Sequence, residues 1–155
     1  MCTLKLITSE YQLERTRFIF DQILLNIPKR YIGVGHEFDK NLKVGIMVEV
    51  PSAAVMAKEF AHEVDFLSIG SNDLIQYMMA VDRGNDLVSD LYQEFSPAVV
   101  RTISHIVLEA KKEHKPVSLC GEMAADTMAL PLLLGLGMDS LSMSPATIPY
   151  AKHII

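Results

Sequence analysis

Val44-Gly45-Ile46-Met47-Val48-Glu49-Val50-Pro51-Ser52, followed one helix-length later by Phe66-Leu67-Ser68-Ile69-Gly70-Ser71-Asn72-Asp73, is the stretch on which the fold turns. Each half is a short apolar run that stops at a charge or a glycine and passes at once into helix-starting residues. A strand buried on both faces reads this way, because it has no solvent side to demand alternation. Pro51-Ser52 opens a helix through about Glu63, and Asn72-Asp73 begins a short helical turn with Leu74, Ile75, Tyr77 and Met78.

The same unit recurs outward in both directions. Upstream, Leu4-Lys5-Leu6-Ile7 reads as a strand, and Ser9-Glu10 caps a helical pattern through about Asn26, with Leu13, Phe18, Ile19, Ile23 and Leu24 apolar. Residues 27–43 read as a polar loop. Downstream, Ser96 caps and Pro97 opens a helix that Pro116 ends. Val117-Ser118-Leu119-Cys120 is a fourth strand, and Asp126 caps a helix reaching Leu134. Leu141-Ser142-Met143 is a fifth strand, and Ser144-Pro145 starts a last helical segment.

Strand–helix alternation of this kind implies parallel strands joined by right-handed crossovers, an α/β fold. In a (β/α)8 barrel the catalytic face is the carboxyl end of the strands. In an open doubly wound sheet the site lies at a switch point. No Gly-x-Gly-x-x-Gly follows the first strand, so a dinucleotide fold has little support. Five units are too few to close an eight-stranded barrel.

The chain has 155 residues, half of them apolar, and a net charge of −5; its mean hydropathy is +0.23 and its pI about 5.5. One domain with a real core is expected. The acidic balance speaks against nucleic acid and anionic lipid as partners. The apolar run from Met128 to Met138 is broken by Pro131, Gly135 and Gly137, so no membrane span is expected. Met1-Cys2-Thr3-Leu4-Lys5 lacks the regions of a signal peptide, and two distant cysteines form no disulfide or zinc pattern. The expectation is a cytoplasmic protein.

Several chemistry-bearing residues fall where strands end. Glu49 follows an apolar strand, where a carboxylate is costly to bury unless it is paired or bound to metal. Asp73, at the next strand end, would point into the same mouth, and two such carboxylates can share a hard divalent cation. The structural alternatives are a salt-bridged Glu49 and a helix-capping Asp73 or Asn72. Gly70-Ser71 lets backbone amides approach an anion beside a helix start. Arg83, in Asp82-Arg83-Gly84-Asn85, offers forked recognition of phosphate or carboxylate. Its alternative is a surface pair with Asp82 or Asp86. Cys120, before Gly121-Glu122, is either an inert buried thiol or, beside a metal-bound anion, a proton donor. No two of the five histidines have metal-ligand spacing.

With these residues placed, the chain resembles the C-terminal, phosphoenolpyruvate-binding barrel of the PEP-utilising enzymes, and within them the phosphoenolpyruvate–protein phosphotransferase group. The likeness is carried by Gly45 to Pro51, Val64 to Tyr77, Ala80 to Asn85, Ser96 to Val99, Cys120 to Ala124 and Leu141 to Ser144. It covers nearly the whole chain in order. The resemblance implies a partial (β/α)8 TIM barrel, about the last five β/α units, as one domain over 1–155. It implies that Glu49 and Asp73 ligate Mg2+, and that Asn72 and the backbone at Gly70 and Ser71 bind the phosphate. Arg83 would bind the phosphoryl group and Cys120 would protonate the methylene carbon of the departing enolpyruvate.

What the resemblance does not find is also informative. The accepting histidine and the helical domain that docks the phosphocarrier protein belong to N-terminal domains with no counterpart here. Further substrate arginines come from earlier barrel strands. The chain is therefore expected to be a fragment, inactive in isolation and prone to dimerise or self-associate. The weighed alternatives are a non-catalytic dimerisation or binding fragment and a metal-dependent lyase of the wider pyruvate/PEP barrel group. The lyase explains Glu49 and Asp73 but leaves Arg83 and Cys120 without roles.

Overall fold

The computed structural model describes residues 2–4, 9, 12–14 and 43–155. Its centre is a five-stranded parallel sheet: β1 (Cys2–Leu4), β2 (Val44–Val48), β3 (Phe66–Gly70), β4 (Val117–Cys120) and β5 (Ser140–Ser142). The strands lie side by side in chain order, each paired in parallel with the next. A doubly wound sheet reverses its order at a switch point. This one never does, which is the order of a (β/α)8 barrel opened out. The five strands form part of such a barrel and do not close it.

Besides the helical residues 12–14, six helices accompany the sheet among the described residues: α1 (Pro51–Val55), α2 (Ala57–Glu63), α3 (Ser71–Met79), α4 (Pro97–Lys112), α5 (Ala129–Gly135) and α6 (Ile148–Ile154). Short 3-10 turns occupy Ser89–Leu91 and Glu122–Ala125. Helix α4 packs against α1, α2, α3 and β3, so one helical layer covers one side of the sheet. The strands show which side that is. Ile46, Val48, Leu67, Ile69, Val117 and Leu119 belong to the buried core cluster, together with Phe60, Ile103, Ile106 and Val107 from the helices. The opposite set, which register aligns as Met47 with Ser68, Ser68 with Ser118, and Gly70 with Cys120, is small or polar apart from Met47 and faces the barrel interior.

At the amino ends of the strands two aspartates do the same job. The Asp65 carboxylate accepts the Val44 N–H at 2.8 Å while its own N–H donates to Val44 O at 2.8 Å. Asp139 accepts the Val117 N–H at 2.7 Å and donates its N–H to Val117 O at 3.0 Å. Each thereby satisfies the first residue of the neighbouring strand, whose amide would otherwise be unpaired. Lys43 and Lys111 pair with the two carboxylates.

Several elements differ from the sequence expectation. The first described strand is Cys2–Leu4, whereas residues 5–8 lie outside the described residues, as does the loop expected at 27–43 apart from Lys43. Of the helix expected to Asn26, only 12–14 are described; they are helical, and Ser9 Oγ accepts the Gln12 N–H at 3.3 Å, as a cap should. The helix expected over Pro51–Glu63 is two, parted at Met56. The turn at Asn72 is a nine-residue helix. Ser96 precedes Pro97 but makes no side-chain cap bond. The last helix starts at Ile148 rather than at Pro145, because Ser144 O is taken by Thr147 N–H and Oγ1 in a preceding turn.

Candidate functional site

The residues singled out from the sequence gather at one rim, the carboxyl ends of β2, β3 and β4. Glu49 directly follows β2, Gly70 ends β3, Ser71, Asn72 and Asp73 form the first turn of α3, and Cys120 ends β4. Glu49 is 4 % exposed although it is a carboxylate at a strand end. It lies across the face of Gly70: a Cβ on Gly70 would stand 3.0 Å from Glu49 Cβ and 3.2 Å from its Oε2. Any larger residue at 70 would push that carboxylate aside.

Two hydrogen bonds bolt β4 to α3. Ser71 Oγ, fully buried, donates to Cys120 O at 2.9 Å, and Asn72 Oδ1 accepts the Glu122 N–H at 2.9 Å. Between those anchors Gly121 takes φ 115° and ψ −173°, a conformation that only glycine adopts without strain. Ser71 thus spends its hydroxyl inside the protein, and Asn72 neither caps α3 nor stands idle. Asn72 uses its oxygen on the turn after β4, so the donor end of its amide is what it has left for an anion. Cys120 is a free, half-buried thiol.

Arg83 sits in the loop after α3. Its backbone N–H donates to Gln76 Oε1 at 3.2 Å, and its Nη1 donates to Glu122 Oε1 at 3.2 Å. The partner expected from proximity in sequence, Asp82 or Asp86, is not the one chosen. Asp82 Oδ1 instead accepts the Gly84 N–H at 2.8 Å, an Asx-type turn that shapes the loop. Ala80, at φ 52°, ends α3 in the left-handed region, with Val81 N–H returning to Gln76 O at 3.0 Å. That closing turn aims the chain from α3 into the Arg83 loop.

Two residues at this rim, Tyr92 and Glu94, gave no signal in the sequence, and a third, Glu122, was visible without a role. The Tyr92 hydroxyl is buried and has no hydrogen-bond partner among the described residues. Burial, then Glu94, with Glu122 and Asp73 adding and Arg83 opposing, pushes its phenol up to about 12. Burial, then the charges of Asp126 and Glu122, raises the Glu94 carboxyl above its usual range. Glu122 stood in the sequence next to Cys120 but had no assigned part. An exposed-looking Tyr-Gln-Glu run carries no periodicity that would have marked it.

Among the described residues, no group of three or more His, Cys, Asp and Glu side chains is close enough to hold a metal ion by itself. A magnesium ion needs less from a protein: one or two carboxylates, with water and substrate oxygens completing its shell. Glu49 and Asp73, hard oxygen donors from adjacent strand ends, have the right chemistry for that demand. No helix of the described residues is long and apolar enough to cross a membrane.

Comparison with known proteins gives the arrangement a lineage. The family profile described as "PEP-utilising enzyme, PEP-binding domain" matches residues 4–155. The chain is 52 % identical over 130 residues to a phosphoenolpyruvate-protein phosphotransferase of Bacillus subtilis, covering 84 % of this chain and 23 % of that protein. It is 48 % identical over 133 residues to the protein of that name from Listeria monocytogenes, covering 86 % and 23 %. It thus spans 23 % of the length of these curated relatives. Among solved structures, a citrate lyase from Burkholderia xenovorans superposes with a TM-score of 0.65 over 98 % of this chain and 47 % of that one, at 21 % identity. That likeness shows the fold alone. Strand order and family profile agree: the chain belongs to the PEP-utilising enzymes and matches their PEP-binding domain.

Proposed function

We propose that this chain carries the metal-binding and proton-donating part of the site of a phosphoenolpyruvate–protein phosphotransferase, which moves the phosphoryl group of phosphoenolpyruvate to a histidine on another domain. The single observation that carries the reading is the bolt between β4 and α3. Through Ser71, Asn72 and the positive-φ Gly121 it holds Cys120 beside the first turn of α3, which bears Asp73, with Arg83 reaching Glu122 at the same rim. A lyase needs the carboxylates but has no use for Arg83 and Cys120.

In this reading Glu49 and Asp73 hold Mg2+, and the bound ion would offset charge on the phosphoryl oxygens. The donor end of Asn72 and the amides at Gly70 and Ser71 bind the phosphate, and Arg83 binds the group in flight. As the P–O bond to enolpyruvate breaks, the electron pair returns to the enolate. Its methylene carbon takes the proton of the Cys120 thiol, giving pyruvate, and the thiolate regains a proton from water. A phosphocarrier protein as partner, a part in sugar uptake and a cytoplasmic setting belong to the same proposal, supported by the family resemblance. So is self-association: β1 and β5 are edge strands of the described sheet, and Val55, Leu87 and Met128 are exposed.

The test is Cys120→Ala in the full-length phosphotransferase that the proposal implies. Turnover of labelled phosphoenolpyruvate should fall by about 10²- to 10⁴-fold, the usual worth of a positioned acid, with magnesium binding retained. Unchanged turnover would overturn the reading. The isolated chain, given labelled phosphoenolpyruvate and magnesium, should acquire no label on any of its histidines.

A further inference from the structure

We propose that Glu122 is a positioning residue for Arg83: with no anion bound it parks the guanidinium at the rim, and an anionic substrate must take Arg83 from it. The inference rests on the proposed role of Arg83 and goes beyond it, because it gives a task to a carboxylate that the reaction itself does not use.

The geometry separates what is fixed from what can exchange. The backbone of Glu122 is anchored to Asn72 Oδ1 at 2.9 Å, and the backbone of Arg83 to Gln76 Oε1 at 3.2 Å. Both anchors belong to α3, so the two chain segments keep their spacing. Their side chains meet at 3.2 Å and are 39 % and 71 % exposed. A carboxylate presents a guanidinium with the same paired oxygens as the carboxylate or phosphate of a ligand, so it occupies the donors a ligand would need. Two aspartates closer in sequence leave Arg83 alone; Asp82 is committed to the Gly84 N–H. Nor is Glu122 drawn to the buried Tyr92 hydroxyl, which has no partner among the described residues. Among the described residues the carboxylate pairs with Arg83.

An ion pair this open is worth little and is quickly exchanged, so the parking tunes affinity without locking the site. Its removal should sharpen ligand affinity by about threefold to fivefold, the range open to an exposed pair. Glu122→Gln keeps the size of the side chain and the backbone N–H that anchors it to Asn72, and deletes the charge.

The measurement is an NMR titration of the full-length phosphotransferase that the proposal implies, with phosphoenolpyruvate and, separately, with inorganic phosphate, both with magnesium. It follows the Arg83 Nε–H signal, with the Glu122 amide reporting that the Asn72 anchor is intact. Glu122→Gln should lower the Kd by about threefold to fivefold. In an Arg83→Ala background the same change should have no effect. An equal gain in both backgrounds would mean simple charge repulsion and overturns the inference. So does a response that Arg83→Ala abolishes but that is identical in the wild type and Glu122→Gln; the proposed function survives that result. No response in the wild type, or one untouched by Arg83→Ala, overturns the proposed function and this inference with it.

Discussion

At Gly121 a Cβ would overlap Ser71 Oγ and come within 2.7 Å of Asn72 Oδ1, on top of the strain of a positive φ. The residue is therefore the point where two strand ends are pressed together, and its substitution reports on the whole rim. Gly121→Ala should cost about 2 kcal/mol or more of stability by urea denaturation. Gly135→Ala, on a helix end with nothing within 4 Å of the new methyl, should be neutral or slightly stabilising. Equal effects would show that Gly121 is an ordinary turn. The sequence made Cys120, Gly121 and Glu122 visible as a group, yet hid what they touch. Ser71 reaches Cys120 across 49 positions and Arg83 reaches Glu122 across 39, and no local pattern encodes such pairings. Local reasoning paired Arg83 with its sequence neighbours because that is all it can see.

Elements were legible where their physics is local. The runs Val44–Val48 and Val117–Cys120 match their strands residue for residue, because an apolar stretch closed by a charge or a glycine has sharp ends. The end of α4 is less local. His114, at φ 56°, takes the left-handed position usually given to glycine, with Lys115 N–H returning to Ala110 O at 2.9 Å before Pro116. The strand starts depend on contacts that the sequence does not announce. The N–H of Val44 lowers the Asp65 carboxyl, with Lys43 assisting against burial. For Asp139 burial raises the carboxyl, but the Lys111 hydrogen bond, the Val117 N–H and the Lys111 charge outweigh it, and the net shift is down. A carboxylate lowered on folding adds stability that is complete above its unfolded pKa near 3.8 and is lost as pH falls through the lower folded value. Asp65→Asn with Asp139→Asn keeps both acceptors and removes both charges. At pH 7 the pair of changes should destabilise by on the order of 1 kcal/mol per site, given their partial exposure. That difference should shrink as pH drops below 3.8, where the wild type loses the same charges. A gap that stays constant with pH would show that the charges contribute nothing.

At the scale of the molecule, five strands in chain order leave β1 and β5 with one neighbour each among the described residues. Leu87 is 92 % exposed, and Val55 and Met128 74 % each. Sedimentation of this chain should therefore show concentration-dependent association, and a well-behaved monomer across the accessible range would count against it. The sequence by itself determined the α/β class, the parallel alternation and the rim on which Glu49, Asp73 and Cys120 fall, because strand periodicity, helix starts and strand-end charges are read within a few residues. Local patterns left a barrel segment and a doubly wound sheet both open; the family resemblance implied the barrel, and the strand order, a property of neighbours far apart in the chain, bears it out. Only the tertiary structure joined Ser71 to Cys120, Asn72 to the Glu122 amide and Arg83 to the Glu122 carboxylate, and buried the hydroxyl of Tyr92. Those pairings are set by the close packing of β4 against α3, and packing is not written in any one segment.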